Sequence, residues 1–64
     1  MMRVQIPAYT DRWMMGDRYG AVVKVVPASP KQREMLGASE IAHVLLDKSG
    51  KTARVVLADC TVVE

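Results

Sequence analysis

The chain has no phenylalanine, one cysteine, one histidine and no apolar run longer than a few residues. Each shortage excludes something. A lone Cys60 has no partner for an intramolecular disulfide, and Cys60 with His43 falls short of the four nitrogen or sulfur ligands of a structural zinc site. The apolar runs are far below the roughly 20 residues that a membrane-spanning helix needs. The opening Met1-Met2-Arg3-Val4-Gln5-Ile6-Pro7 has no apolar stretch of signal-peptide length. Together with a single cysteine this leads to the expectation of a reducing, cytoplasmic setting and no membrane partner. The four glycines complete no Gly-x-Gly-x-x-Gly fingerprint and no phosphate-binding loop. No nucleophile stands beside a base, and no carboxylate pair or ligand cluster is visible. The expectation is therefore a binding module and not an enzyme, with no cofactor and no metal.

What is present is a short chain rich in valine. At 64 residues there is room for one domain, spanning residues 1–64, and such a domain buries only roughly 60% of the surface its unfolded chain exposes. Half of the residues are hydrophobic, enough to offset ordering entropy and fold. With disulfide and metal excluded, self-association is the remaining way to reinforce so small a core. The net charge of +2 tolerates a nucleic-acid partner without requiring one, because charge acts through local clustering.

The apolar residues fall in short runs separated by Gly, Pro, Asp and Ser, the pattern of short strands. Arg3 to Ile6 reads as a first strand stopped by Pro7, and Tyr9 to Arg18 as a loop flanking a short strand at Trp13 to Met15. Gly20 to Val26 is the clearest strand and ends at Pro27. Alternation there places Ala21, Val23 and Val25 on one face and Val22, Lys24 and Val26 on the other, leaving two valines of the Lys24 face exposed. Between Pro27 and Glu40, Ser29 is a candidate N-cap, Pro30 a first helical residue, Gln32 the partner in a capping box and Gly37 a stop. The segment is either one short helix over residues 30–36 or an irregular loop, since Lys31 and Arg33 sit at the positive end of the helix dipole. Glu40 to Asp47 and Thr52 to Ala58, joined by Lys48-Ser49-Gly50-Lys51, form a hairpin. On its first strand Ile41, His43 and Leu45 share one side and Ala42, Val44 and Leu46 the other. After a break at Ala58-Asp59-Cys60, Thr61 to Val63 reads as a last strand.

This order of a strand after a glycine-containing loop, a longer connection, a tight hairpin, a three-residue break and a short final strand resembles an SH3-like barrel. The stretch Met15-Gly16-Asp17-Arg18-Tyr19-Gly20-Ala21-Val22-Val23-Lys24-Val25 is similar to the Gly-Asp and Gly-x-Val-x-x-Val elements of KOW-type and related small barrels of ribosomal and transcription-associated proteins. The resemblance implies a mainly β, five-stranded barrel that contacts RNA or a partner protein.

Two binding readings follow. Tyr9, Arg12, Trp13, Arg18 and Tyr19 interleave all three aromatics with two arginines, a composition that stacks bases and contacts phosphates. Lys24, Lys48, Lys51 and Arg54 extend it as a basic face. In this reading the candidate contacts are Arg12, Trp13, Arg18, Tyr19, Lys24, Lys48, Lys51 and Arg54, and the ligand is RNA or DNA. In the other reading, apolar strand faces and an uncovered sheet edge serve a protein partner or a homo-oligomer. Trp13 is equally suited to the core, as the largest side chain in a chain without phenylalanine. His43 reads as a structural histidine, Cys60 as a small buried hydrophobe, and Asp11, Asp17, Asp47 and Asp59 as turn residues.

Overall fold

The hairpin organises the sheet. In a computed structural model that describes residues 2–63, strand β3 (Glu40–Leu46) pairs antiparallel with β4 (Thr52–Val56), Ile41 opposite Val56 and Leu45 opposite Thr52. The turn closes through Leu46 N–H to the Lys51 carbonyl at 2.8 Å and Gly50 N–H to the Leu46 carbonyl at 3.0 Å. Gly50 adopts φ 73°, which a side chain would oppose.

Strand β2 (Tyr19–Pro27) pairs with β3 on its other side, and β1 (Arg3–Gln5) pairs with β2. The last strand, β5 (Thr61–Val62), follows a 3-10 turn at Leu57–Asp59 and pairs with β1. The result is one antiparallel sheet in the order β4-β3-β2-β1-β5. It is mainly β, as the sequence indicates. β4 and β5 remain its two edges, so hydrogen bonding does not close the sheet into a barrel. No helix among the described residues is long and apolar enough to cross a membrane.

One face of the sheet buries Val4, Ile6, Ala42, Val44, Leu46, Ala53 and Val55, with Trp13, Val22, Leu57 and Cys60 packed against them. Each fully buried Val, Leu or Ile contributes about 1.5–3 kcal/mol, so this cluster carries most of the stability. A second, smaller cluster of Ala28, Ala38 and Ile41, flanked by Val26 and Val56, lies where the connection between β2 and β3 is pulled onto the sheet. It explains why Ile41 is buried although it shares a side with His43.

That connection is helical. α2 (Pro30–Leu36) shows the full capping box between Ser29 and Gln32, and Gly37 terminates it in the left-handed region at φ 65°. Two local expectations are overturned. Trp13 to Met15 is not a strand: Asp11–Met14 forms a helical turn, α1, because the Thr10 hydroxyl oxygen accepts from Trp13 N–H and caps it. Strand β2 does not alternate throughout. The register runs Val22 opposite Val44, then Lys24 opposite His43, so Val23 is the extra residue of a bulge. The two exposed valines are thus Val23 and Val25, at 48% and 41%, whereas Val22 and Val26 are half-buried.

Candidate nucleic-acid interface

The bulge decides which side chains share the open face. Before it, Gly20 and Val22 face the core opposite Leu46 and Val44; uninterrupted alternation would carry Lys24 to that same side. One extra residue turns Lys24 to the other face, opposite His43, and His43 in turn lies opposite Arg54. Lys24, His43 and Arg54 therefore form a row across three strands. The neighbouring row is Ala21, Leu45 and Thr52, and beyond it Tyr19 stands opposite Gln5 on β1. Tyr19 is 46% exposed and Leu45 43% exposed. The open face thus combines an aromatic ring, an imidazole and an aliphatic side chain with two cations.

A corner of this face is built by the loop after α1. Asp17 is buried at 4% exposure, and its carboxylate accepts from Ser49 N–H at 3.2 Å, tying the loop to the β3–β4 turn. Gly16 takes φ 103°, and a Cβ there would sit 2.7 Å from the Lys48 ammonium nitrogen, so Lys48 lies directly over it. Together Gly16, Arg18, Tyr19, Asp47 and Lys48 line a depression of about 250 Å³. Arg3 pairs with Asp47 at its rim.

Trp13 has a different setting. It is half-buried against the main core cluster, and the Arg18 guanidinium lies 4.3 Å from its ring centroid, in cation–π range. Arg12 lies apart from this pair and faces β4 across a groove of about 400 Å³ that Arg54 also lines. Lys51 is exposed in the hairpin turn. The structure thus gathers Arg18, Tyr19 and Lys48 at one corner, sets Lys24 and Arg54 in one row, and places Arg12 with Arg54 at the β4 edge. His43 and Leu45 join them on the open face. Sequence reading set His43 aside as structural, although hairpin alternation already paired its side with that of Leu45.

Three of the carboxylates are engaged elsewhere. Asp47 holds Arg3, Asp17 accepts from Ser49 N–H, and Asp59 accepts a hydrogen bond from the Tyr9 hydroxyl. Among the described residues, none of Arg12, Arg18, Lys24, Lys48, Lys51 and Arg54 forms an ion pair. Also among the described residues, no three His, Cys, Asp or Glu side chains gather around a point that could hold a metal ion. Burial, and then the charge of Asp59, push the Cys60 thiol upward, away from the thiolate a nucleophile needs.

Tyr9 offers a direct check of this arrangement. Its hydrogen bond to Asp59, followed by burial and the charges of Asp59 and Cys60, raises it from 10.0 to about 12. A phenol that holds its proton more tightly when folded stabilises the fold while protonated. The contribution is complete below the ordinary tyrosine value and is lost as pH rises through about 12. Tyrosinate absorbance should show the Tyr9 phenol titrating late in the wild type, and Asp59→Ala should move it back toward 10.0. An unchanged titration in that variant would contradict the contact.

No protein-family model matches the chain, and comparisons with curated proteins and with solved structures give no match either.

Proposed function

We propose that the chain is a small, open SH3-like barrel that binds single-stranded nucleic acid, RNA or DNA, across the outer face of its sheet. The barrel assignment is supported by the order β4-β3-β2-β1-β5 and by the 3-10 turn that leads into the short last strand. The binding reading is carried by one observation: Lys24, His43 and Arg54 form a cross-strand row without a carboxylate, beside the exposed Tyr19 and Leu45.

The physical division of labour is direct. Lys24 and Arg54 neutralise phosphates, with Lys51, Arg18 and Lys48 available toward the turn and the corner. The Tyr19 ring and the His43 imidazole stack bases, each base–aromatic contact being worth about 1–3 kcal/mol. Trp13 acts through Arg18, holding the guanidinium at the edge of the site. Binding by stacking and phosphate neutralisation tolerates many sequences and depends strongly on salt.

Titration of a labelled single-stranded oligonucleotide, monitored by anisotropy at several salt concentrations, tests this reading. With three or four cations engaged, log affinity should fall against log salt with a slope of about −2 to −3. Duplex DNA should bind more weakly, because its bases cannot reach the ring platform. A flat salt dependence would rule out phosphate neutralisation as the basis of binding.

A second reading has its own observation. Val23 and Val25 on β2, together with Met14 and Met15 at the end of α1, are exposed apolar side chains on a small domain, a composition that suits contact with a second copy. Light scattering would then give a concentration-dependent mass above 7.1 kDa.

A further inference from the structure

The sheet has two free edges, and they differ. β5 is only two residues long, and brevity protects an edge. β4 has five residues. Because Leu46 N–H donates to the Lys51 carbonyl at 2.8 Å, the register makes Val44 and Ala53 the next mutually bonded pair. The N–H and C=O groups of Thr52 and Arg54 therefore point away from β3, and no described backbone group bonds them from outside. Alongside this edge runs the groove of about 400 Å³ between the Thr10–Arg12 segment and the Thr52–Val55 stretch.

We propose that the β4 edge accepts an extended acidic segment of a partner protein as a sixth strand. The outward main-chain groups of Thr52 and Arg54 supply two donors and two acceptors in strand spacing, the requirement for strand addition. Charge selects the occupant. Arg54 and Arg12 both line the groove, against the single carboxylate of Asp11, and among the described residues neither arginine is ion-paired, so its net charge is positive. A Glu or Asp directly opposite Arg54 makes a favourable cross-strand pair. A second copy is a poorer occupant, since antiparallel self-pairing centred on β4 sets Arg54 against Arg54, a like-charge pair. This site shares the Arg54 side chain with the outer-face reading but uses main-chain groups that the outer-face reading does not, and a test on those groups tells the two apart.

The test follows amide hydrogen exchange in the full chain with a capped peptide of alternating valine and glutamate, and with its lysine counterpart. The glutamate peptide should slow exchange of the Thr52 and Arg54 amides about tenfold or more, whereas the lysine peptide should not. Thr52→Pro removes one outward N–H at the first residue of the strand, where proline is tolerated and no cation is lost. It should weaken the glutamate peptide about tenfold and leave oligonucleotide binding unchanged. Arg54→Glu, which keeps the backbone, should reverse the preference between the two peptides. No slowing at the highest peptide concentration, equal slowing by both peptides, or an unreversed preference in Arg54→Glu would overturn the proposal. So would protection of the same amides without peptide, accompanied by a doubled mass, which would identify a second copy as the occupant.

Discussion

Gly20→Ala is expected to remove most of the stability of the fold, because an added methyl group has no room where β2 meets β3. An added Cβ would lie 2.4 Å from the Leu45 carbonyl oxygen and 2.6 Å from Val44 Cγ1. The first of these is backbone and cannot swing aside. Relief requires β2 to part from β3 where Gly20 faces Leu46, within the ladder that continues to Pro27 and Glu40. Overpacking of this kind costs about 3 kcal/mol. A single core below about 70–80 residues supplies little more than 3–5 kcal/mol in all. Gly37→Ala is the matched control: its Cβ would meet nothing within 4 Å, and only the φ of 65° opposes it. That substitution should cost about 1 kcal/mol. Far-ultraviolet circular dichroism with urea titration of both variants makes the comparison. A Gly20→Ala protein with the parental midpoint would mean that the two strands do not approach this closely.

The second large effect concerns binding. Lys24→Glu with Arg54→Glu should weaken single-stranded oligonucleotide binding on the order of 100-fold at low salt, since each change removes a phosphate contact and adds a repulsion. Both side chains are exposed and, among the described residues, neither is ion-paired, so the fold should tolerate the reversal. Lys31→Glu with Arg33→Glu on α2 changes net charge by the same amount away from the row. It should reduce affinity only a few-fold through the long-range field. Equal losses in the two double variants would mean that net charge, and not the row, attracts the ligand.

Sequence reasoning reached some of this arrangement and stopped at identifiable points. The β3–β4 hairpin was legible because its apolar residues alternate on both sides of a polar turn with glycine. α2 was legible in outline because a capping box and a glycine stop are local signals, although Lys31 and Arg33 in its first turn and its short length left a loop open. α1 was not: Thr10 caps a single turn whose aromatic and methionine residues read equally well as a strand. The bulge at Val23 was missed because Val22-Val23-Lys24-Val25-Val26 satisfies two-residue alternation in either phase. Its one clue was Lys24 itself, which uninterrupted alternation places in phase with a core residue. That clue mattered most for the site, because only the bulge brings Lys24 beside His43 and Arg54. The settings of Trp13 and Arg18 depend on the loop after α1 docking onto the hairpin turn through Asp17 and Ser49, residues 32 positions apart. No local pattern encodes that contact.

Chemical-shift mapping of the isotope-labelled chain with a short single-stranded oligonucleotide at low salt tests the central claim most directly. Perturbations at Tyr19, Lys24, His43, Leu45 and Arg54, fading together as salt is raised, are the expected result. Perturbations confined to α2 or to the Val23 and Val25 surface, or none at all, would contradict nucleic-acid binding by the open face of the sheet.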